Sequence, residues 1–260
     1  MTSLRMILGS AALLILPAVA MGEDAKDKLP PASEGKAWKL AWHDEFDGPT
    51  LDTNKWIYWG EGKHRDGWWS REAVALDGNG HLIIKTFREG DKVIDGCITT
   101  QGKFEHRFGY FVARVQFQKQ PGHWPAFWMM CKGVFQVGDE GRDGTEIDIM
   151  EKPWLDQRVQ HTFHWDGYKE HHKTAGYIAK VPDVMSGWHT FGVLWLPDHY
   201  VFYIDGRESW SSTAGGVSQV PEYLLLSDEV GPWAGEIAKA ALPDAFLVDY
   251  VRVYDLVERK

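Results

Sequence analysis

Hydrophobic and polar residues repeat along this chain with a period of two, which marks half-buried strands rather than helices. Within residues 110–118, the stretch Val112-Ala113-Arg114-Val115-Gln116-Phe117-Gln118 partly alternates. Tyr200-Val201-Phe202-Tyr203-Ile204, followed by Asp205-Gly206, reads as the first arm of a hairpin. Further strands are expected at 82–86, 146–151, 159–165, 189–196, 223–227 and 246–254, most of them rich in β-branched or aromatic residues. Turn signals such as Asp77-Gly78-Asn79-Gly80 separate them. Long helical patterns are almost absent; the best candidate is the short stretch 235–241, and no internal repeat is visible. The pattern predicts an all-β fold: a sandwich of two antiparallel sheets with functional loops at its rims.

The first residues depart from this pattern. A charged start, an apolar run from Met6 and the small-residue end Ala18-Val19-Ala20 read as a signal peptide over 1–20. The apolar run is shorter than the roughly 20 residues a spanning helix needs. Residues 21–37 are polar, contain Pro30-Pro31 and read as a flexible leader, so the folded domain is expected over 38–260. About 220 residues suffice for one large core. The expected product is secreted or periplasmic, free of the membrane once the signal is cleaved, and monomeric.

The formal net charge of −9 argues against nucleic acid and anionic membranes as partners. Two cysteines, Cys97 and Cys131, exclude a disulfide scaffold, leave a single bridge open and form no zinc spacing. The 14 tryptophans are more than a core of this size requires, and many sit beside Gly, His or Arg. Exposed indoles stack on the flat faces of sugar rings, which raises the prior for a carbohydrate partner.

One segment carries candidate chemistry: Glu146-Ile147-Asp148-Ile149-Met150-Glu151. On a helix, Asp148 and Glu151 would lie about 200° and about 140° from Glu146, scattering the acids. On a regular strand, Glu146 and Asp148 share a face and Glu151 points to the other. A bulge at Ile149 or Met150 shifts the register by one and brings all three together. The cations nearest in sequence are Arg142 and Lys152, so a purely structural cluster would be costly. Retaining glycosidases need two carboxyl groups, one to attack the anomeric carbon and one to protonate the departing oxygen. A third between them orients the nucleophile and helps to keep the acid protonated.

The chain resembles glycoside hydrolase family 16, the laminarinase, agarase and carrageenase group. The resemblance runs from Trp42-His43-Asp44-Glu45-Phe46-Asp47-Gly48 through Gly80-His81-Leu82-Ile83-Ile84 and Gly122-His123-Trp124-Pro125-Ala126-Phe127-Trp128 to Val248-Asp249-Tyr250-Val251-Arg252-Val253-Tyr254. It implies a β-jelly roll with a concave glycan-binding cleft. The bulged pattern Glu-x-Asp-x-x-Glu is present in full, and by position Glu146 is the nucleophile, Asp148 the assisting acid and Glu151 the acid/base. The shorter Glu-x-Asp-x-Glu form of lichenases and plant xyloglucan enzymes is absent.

The same resemblance places Trp124 and Trp128 in the cleft, with core packing as the alternative for each. It sets His164 on the neighbouring strand, where it could bond the nucleophile or a sugar hydroxyl, while Phe163 and Trp165 face the core. Trp69 and Arg71, in Gly67-Trp68-Trp69-Ser70-Arg71-Glu72, combine stacking surface with guanidinium donors, against ordinary rim packing. Glu229 and Trp233 join the substrate-binding set. Asp228 and Glu229 stand where laminarinase-like relatives carry an Asn-rich strand, which makes the expected cleft more acidic and disfavours a strongly sulfated polymer.

The chemistry requires no cofactor. Relatives imply a structural calcium held by the counterpart of Asp249, but no calcium-loop spacing occurs, and Asp249 also reads as a salt-bridged acid. The expected activity is internal cleavage of a β-linked polysaccharide, foremost a β-1,3-glucan, with a β-linked galactan such as agar, porphyran or β-1,3-galactan as the alternative. A glycan-binding module without catalysis is set against this by the intact acids. Transglycosylation would use the same covalent intermediate. Loops 131–143 and 166–180 depart from the laminarinase pattern and are expected to set specificity.

Overall fold

The computed structural model describes residues 29–259. The expected signal peptide and residues 21–28 of the leader lie outside them. Twelve strands of five or more residues form the body: β1 (Lys36–Asp44), β2 (Leu82–Glu89), β3 (Gly109–Gln116), β4 (His123–Met130), β5 (Glu146–Glu151), β6 (Arg158–Trp165), β7 (Lys173–Lys180), β8 (His189–Trp195), β9 (Tyr200–Ile204), β10 (Arg207–Ser212), β11 (Glu222–Val230) and β12 (Asp244–Glu258).

They divide between two sheets. One runs β10-β9-β8-β3-β12-β2 and continues through the short strands Lys92–Asp95, Gly67–Trp69 and Gly62–His64, with β1 also paired to β12. The other runs β7-β6-β5-β4-β11 and ends in Cys97–Thr99 and Ile57–Tyr58. Pairing is antiparallel except between Gly67–Trp69 and Lys92–Asp95. The result is a jelly-roll sandwich. Alternate side chains of both sheets, including Phe111, Phe191 and Phe246 from the first and Phe127, Ile147, Phe163 and Leu226 from the second, meet in one apolar core. Burial of these faces holds the sheets together, at about 25 cal/mol per Å² of apolar surface.

The predicted strands all occur, with ends shifted by up to four residues, as for β12. The expected short helix at 235–241 is only a 3-10 turn, Ile237–Lys239. Strand β7 falls within segment 166–180, which the sequence predicts to be a specificity loop. Its sequence Lys-Thr-Ala-Gly-Tyr-Ile-Ala-Lys lacks a clear alternation because it is an edge strand, largely exposed.

Part of the expected leader also packs on the fold: Pro30 is buried, its carbonyl accepts a hydrogen bond from Trp38 Nε1 at 2.7 Å, and β1 begins at Lys36. Cys97 and Cys131 are both buried and free. Among the described residues no helix is long and apolar enough to cross a membrane.

Candidate active site

The backbone of β5 puts the three acids on one face. Against β4, Asp148 lies opposite Trp128, while Met150 and Glu151 lie opposite Phe127 and Ala126, leaving Ile149 unpaired. Against β6, Asp148 meets Thr162 and Glu151 meets Gln160, so two residues of β5 oppose one of β6. This is the bulge the spacing requires. It sends Ile147, Ile149 and Met150, all fully buried, into the core and leaves Glu146, Asp148 and Glu151 on the open face. His161 pins it: Nδ1 donates to the Ile149 carbonyl at 2.7 Å, and Nε2 lies 3.0 Å from Ser209 Oγ. Burial lowers the His161 pKa to about 4, so the ring is neutral.

The acids line a cleft of about 580 Å³, whose walls include Trp59, Glu61, Lys63, His64, Arg65, Trp69, Trp124, Trp128, Phe135, Tyr168 and Glu229. Glu151 accepts hydrogen bonds from Thr162 Oγ1 at 2.9 Å and Trp124 Nε1 at 3.0 Å. Glu146 accepts one from the Tyr168 hydroxyl. Burial pushes both carboxyls up to about 7, against the opposing pull of these donors. Asp148, between them, is also raised well above the usual carboxylate range, by burial and then by the charges of Glu151 and Glu146. One proton-bearing and one ionised carboxyl facing the same space suit acid and nucleophile roles near neutral pH.

The aromatic residues divide. Trp128 stacks on Trp59 with centroids 5.9 Å apart and donates to Ser227 Oγ, and Trp124 lies beneath the Arg65 guanidinium at 4.4 Å. Trp69 lines the cleft from a buried position, stacked on His64 at 3.6 Å and donating to the Asp228 carbonyl. Trp233 is outside this cavity and packs edge-on against Trp124 at 4.5 Å. Arg71 is likewise not a wall residue; its guanidinium holds Glu61, which is.

One expectation is corrected by the strand faces. Asp228 does not acidify the cleft: it is fully buried and accepts from Thr86 Oγ1, His123 Nδ1 and the Trp124 amide. Glu229 does face the cleft, but it is paired with Arg65 and lies 3.3 Å from His64 Nε2. His164 stands on the acid face as expected, with Nε2 3.5 Å from Asp148 and 3.9 Å from Glu146, so of its two expected partners the nucleophile is beyond hydrogen-bond range; burial followed by His172 lowers its pKa to about 4.

Neither Arg142 nor Lys152 reaches the acids by a salt bridge. Lys152 turns away to the carbonyls of Trp154 and Asp156. Asp249 forms a salt bridge with Arg114 at 2.5 Å. Among the described residues the one group with three clustered donor atoms, within 4.8 Å of one another, is Glu146, Asp148 and His164, which belongs to this acid constellation.

Sequence reasoning missed Thr162, Arg65 and Tyr168. Thr162 lies two residues before His164 on the same strand face, so the period of two pointed to it. Arg65 and Tyr168 are on loops, where periodicity carries no information.

The sequence profile of glycosyl hydrolases family 16 matches residues 61–252. A beta-glucanase of Rhodothermus marinus is 29% identical, covering 92% of this chain and 90% of that protein. The keratan-sulfate endo-1,4-beta-galactosidase of Sphingobacterium multivorum is 29% identical over 89% of this chain, which spans 62% of that relative's length. The crystal structure of a laminarinase from Flavobacterium sp. UMI-01 superimposes with a TM-score of 0.72 at 25% identity, covering 84% of this chain and 100% of that one. On the profile match and these likenesses, the chain belongs to glycoside hydrolase family 16.

Proposed function

We propose that this chain is an exported, retaining endo-β-glycosidase whose preferred polymer is a β-1,3-glucan. The observation that carries the reading is the bulge at Ile149, which turns Glu146 and Glu151 to one cleft face with separate hydrogen-bond donors. Glu146 attacks the anomeric carbon as the glycosidic C–O bond breaks, and the departing oxygen takes the proton of Glu151. Water then gives its proton to Glu151 and attacks the same carbon, and the electron pair of the ester bond returns to Glu146. Asp148 lies between them, and burial raises its affinity for a proton, which limits the negative charge there.

Glucan specificity is supported by the beta-glucanase and laminarinase likenesses and by the indoles of Trp59, Trp124 and Trp128 around the acids. Among the side chains described there, Arg65 is already engaged by Glu229, which leaves less cationic surface for a sulfated polymer. A β-linked galactan is the second reading, favoured by the likeness to the keratan-sulfate enzyme. Export rests on the sequence of residues 1–20.

Sizing of products from laminarin, mixed-linkage glucan, agarose, porphyran and a β-1,3-galactan tests the reading. Oligosaccharides from laminarin are expected. Cleavage of a galactan alone would transfer the assignment to the second reading, and binding without cleavage of any polymer would contradict the hydrolase.

A further inference from the structure

Tyr168 stands in the loop after β6 and donates its hydroxyl hydrogen to Glu146 Oε2. The loop is anchored: the Gly167 amide donates to the Val134 carbonyl at 2.7 Å, and Asp166 holds Lys173 at 2.8 Å. The Tyr168 ring packs edge-on against Phe135 with centroids 5.5 Å apart and lies 5.8 Å from His172. The hydroxyl is therefore delivered by a built support, from segments 131–143 and 166–172, which lie within the stretches whose sequences depart from the laminarinase pattern.

We propose that Tyr168 is the positioning residue of the nucleophile, holding one oxygen of Glu146 so that the other is presented to the anomeric carbon. The inference rests on Glu146 as nucleophile and adds to it a device for orientation and leaving-group strength. In the first step the carboxylate loses its charge to the new ester bond, and the tyrosine bond weakens. When water breaks that ester, the electron pair returns to Glu146, and the hydroxyl of Tyr168 stabilises the departing carboxylate. Tyr168 keeps its proton throughout, since burial and the neighbouring Glu146 push its ionisation above the ordinary range.

The surroundings leave this task to Tyr168. Of the acids around Glu146, Glu229 of β11 disfavours its charge, while Asp148 and Glu151 of β5 and Glu222 of β11 lie close enough for the charge of Glu146 to raise their own proton affinity. Tyr223 of β11 is near enough for the charge of Glu146 to raise its pKa, and His164 of β6, bonded to His172, is neutral and beyond hydrogen-bond range. Arg65, which also lines the cleft, favours the charge of Glu146 but hydrogen-bonds Glu229 instead.

The test is Tyr168→Phe in the full chain, with the pH dependence of kcat/KM and the pre-steady-state kinetics of an aryl β-glycoside or activated oligosaccharide. The ring and its contact with Phe135 survive, so a merely structural role predicts a wild-type pH profile. The inference expects the acidic limb to move up by about one pH unit as Glu146 holds its proton more tightly. It also expects kcat to fall roughly tenfold to a hundredfold, KM not to rise, and a burst from a slowed second step. An unshifted acidic limb with kcat within about twofold of wild type would overturn it. Glu146→Gln, measured alongside, separates the two claims: if that variant keeps its turnover, the nucleophile assignment itself falls.

Discussion

Glu151 shows how single side chains tune this site. Burial raises its proton affinity, and the donors Thr162 and Trp124 draw it back down by favouring the ionised form. Trp124→Phe removes one donor and should raise the pKa of Glu151. A general acid with a higher pKa stays protonated to higher pH, so the alkaline limb of the rate profile should move upward, by about half a unit to one unit. A limb that moves down or stays fixed would contradict the acid role. Glu146→Gln should lower turnover by roughly three orders of magnitude or more, with glycan affinity preserved in a binding assay. The acids were legible in the sequence because their spacing fits one face only with a bulge. Tyr168 and Arg65 were not, since their loop backbones are defined by packing partners distant in the chain.

At the scale of elements, β5 solves two problems with one irregularity. A regular strand would have turned Glu151 inward and Met150 outward, whereas the extra residue buries both apolar side chains in the core and turns all three acids to the cleft face. The His161 ring secures that geometry from the adjacent strand by its bond to the Ile149 carbonyl. His161→Phe keeps the aromatic volume against Phe202 but leaves the carbonyl unbonded. Stability should fall by about 1–3 kcal/mol in denaturant titration, and turnover should fall with it as Glu151 loses register. Full activity in a folded variant would show that the bulge needs no such support. The alternation of apolar residues revealed most long strands. It concealed β7, a mostly exposed edge strand whose pairing with β6 is set by the neighbour rather than by its own pattern.

Across the whole molecule, the sandwich keeps ionisable groups inside that gain no charge at neutral pH. Burial, followed by Asp228 and Glu229, raises Asp95 to about 9, and burial raises Glu222 to about 8. In the unfolded chain both lose their protons near pH 4. Between that pH and the folded values, the native state binds more protons than the unfolded one, so stability falls as pH rises. The thermal midpoint should drop from about pH 5 to about pH 8, each group contributing up to about 1.4 kcal/mol per pH unit. Asp95→Asn should flatten that slope; a midpoint that climbs over the same range would contradict the buried-acid account. The two-sheet architecture was readable from the period of two, but not the placement of these acids, because Asp228 and Glu229 are adjacent in sequence and face opposite sides of one sheet.

The central claim is that Glu146 forms a covalent bond with the anomeric carbon during cleavage. Proton NMR of the first products, followed from the earliest minutes of digestion of whichever polymer is cut, tests it most directly through the configuration of the new reducing end. Retention, with the β-anomer appearing first and the α-anomer growing in by mutarotation, is the expected result; initial release of the α-anomer would mean single displacement by water and would contradict the assignment of Glu146 as nucleophile.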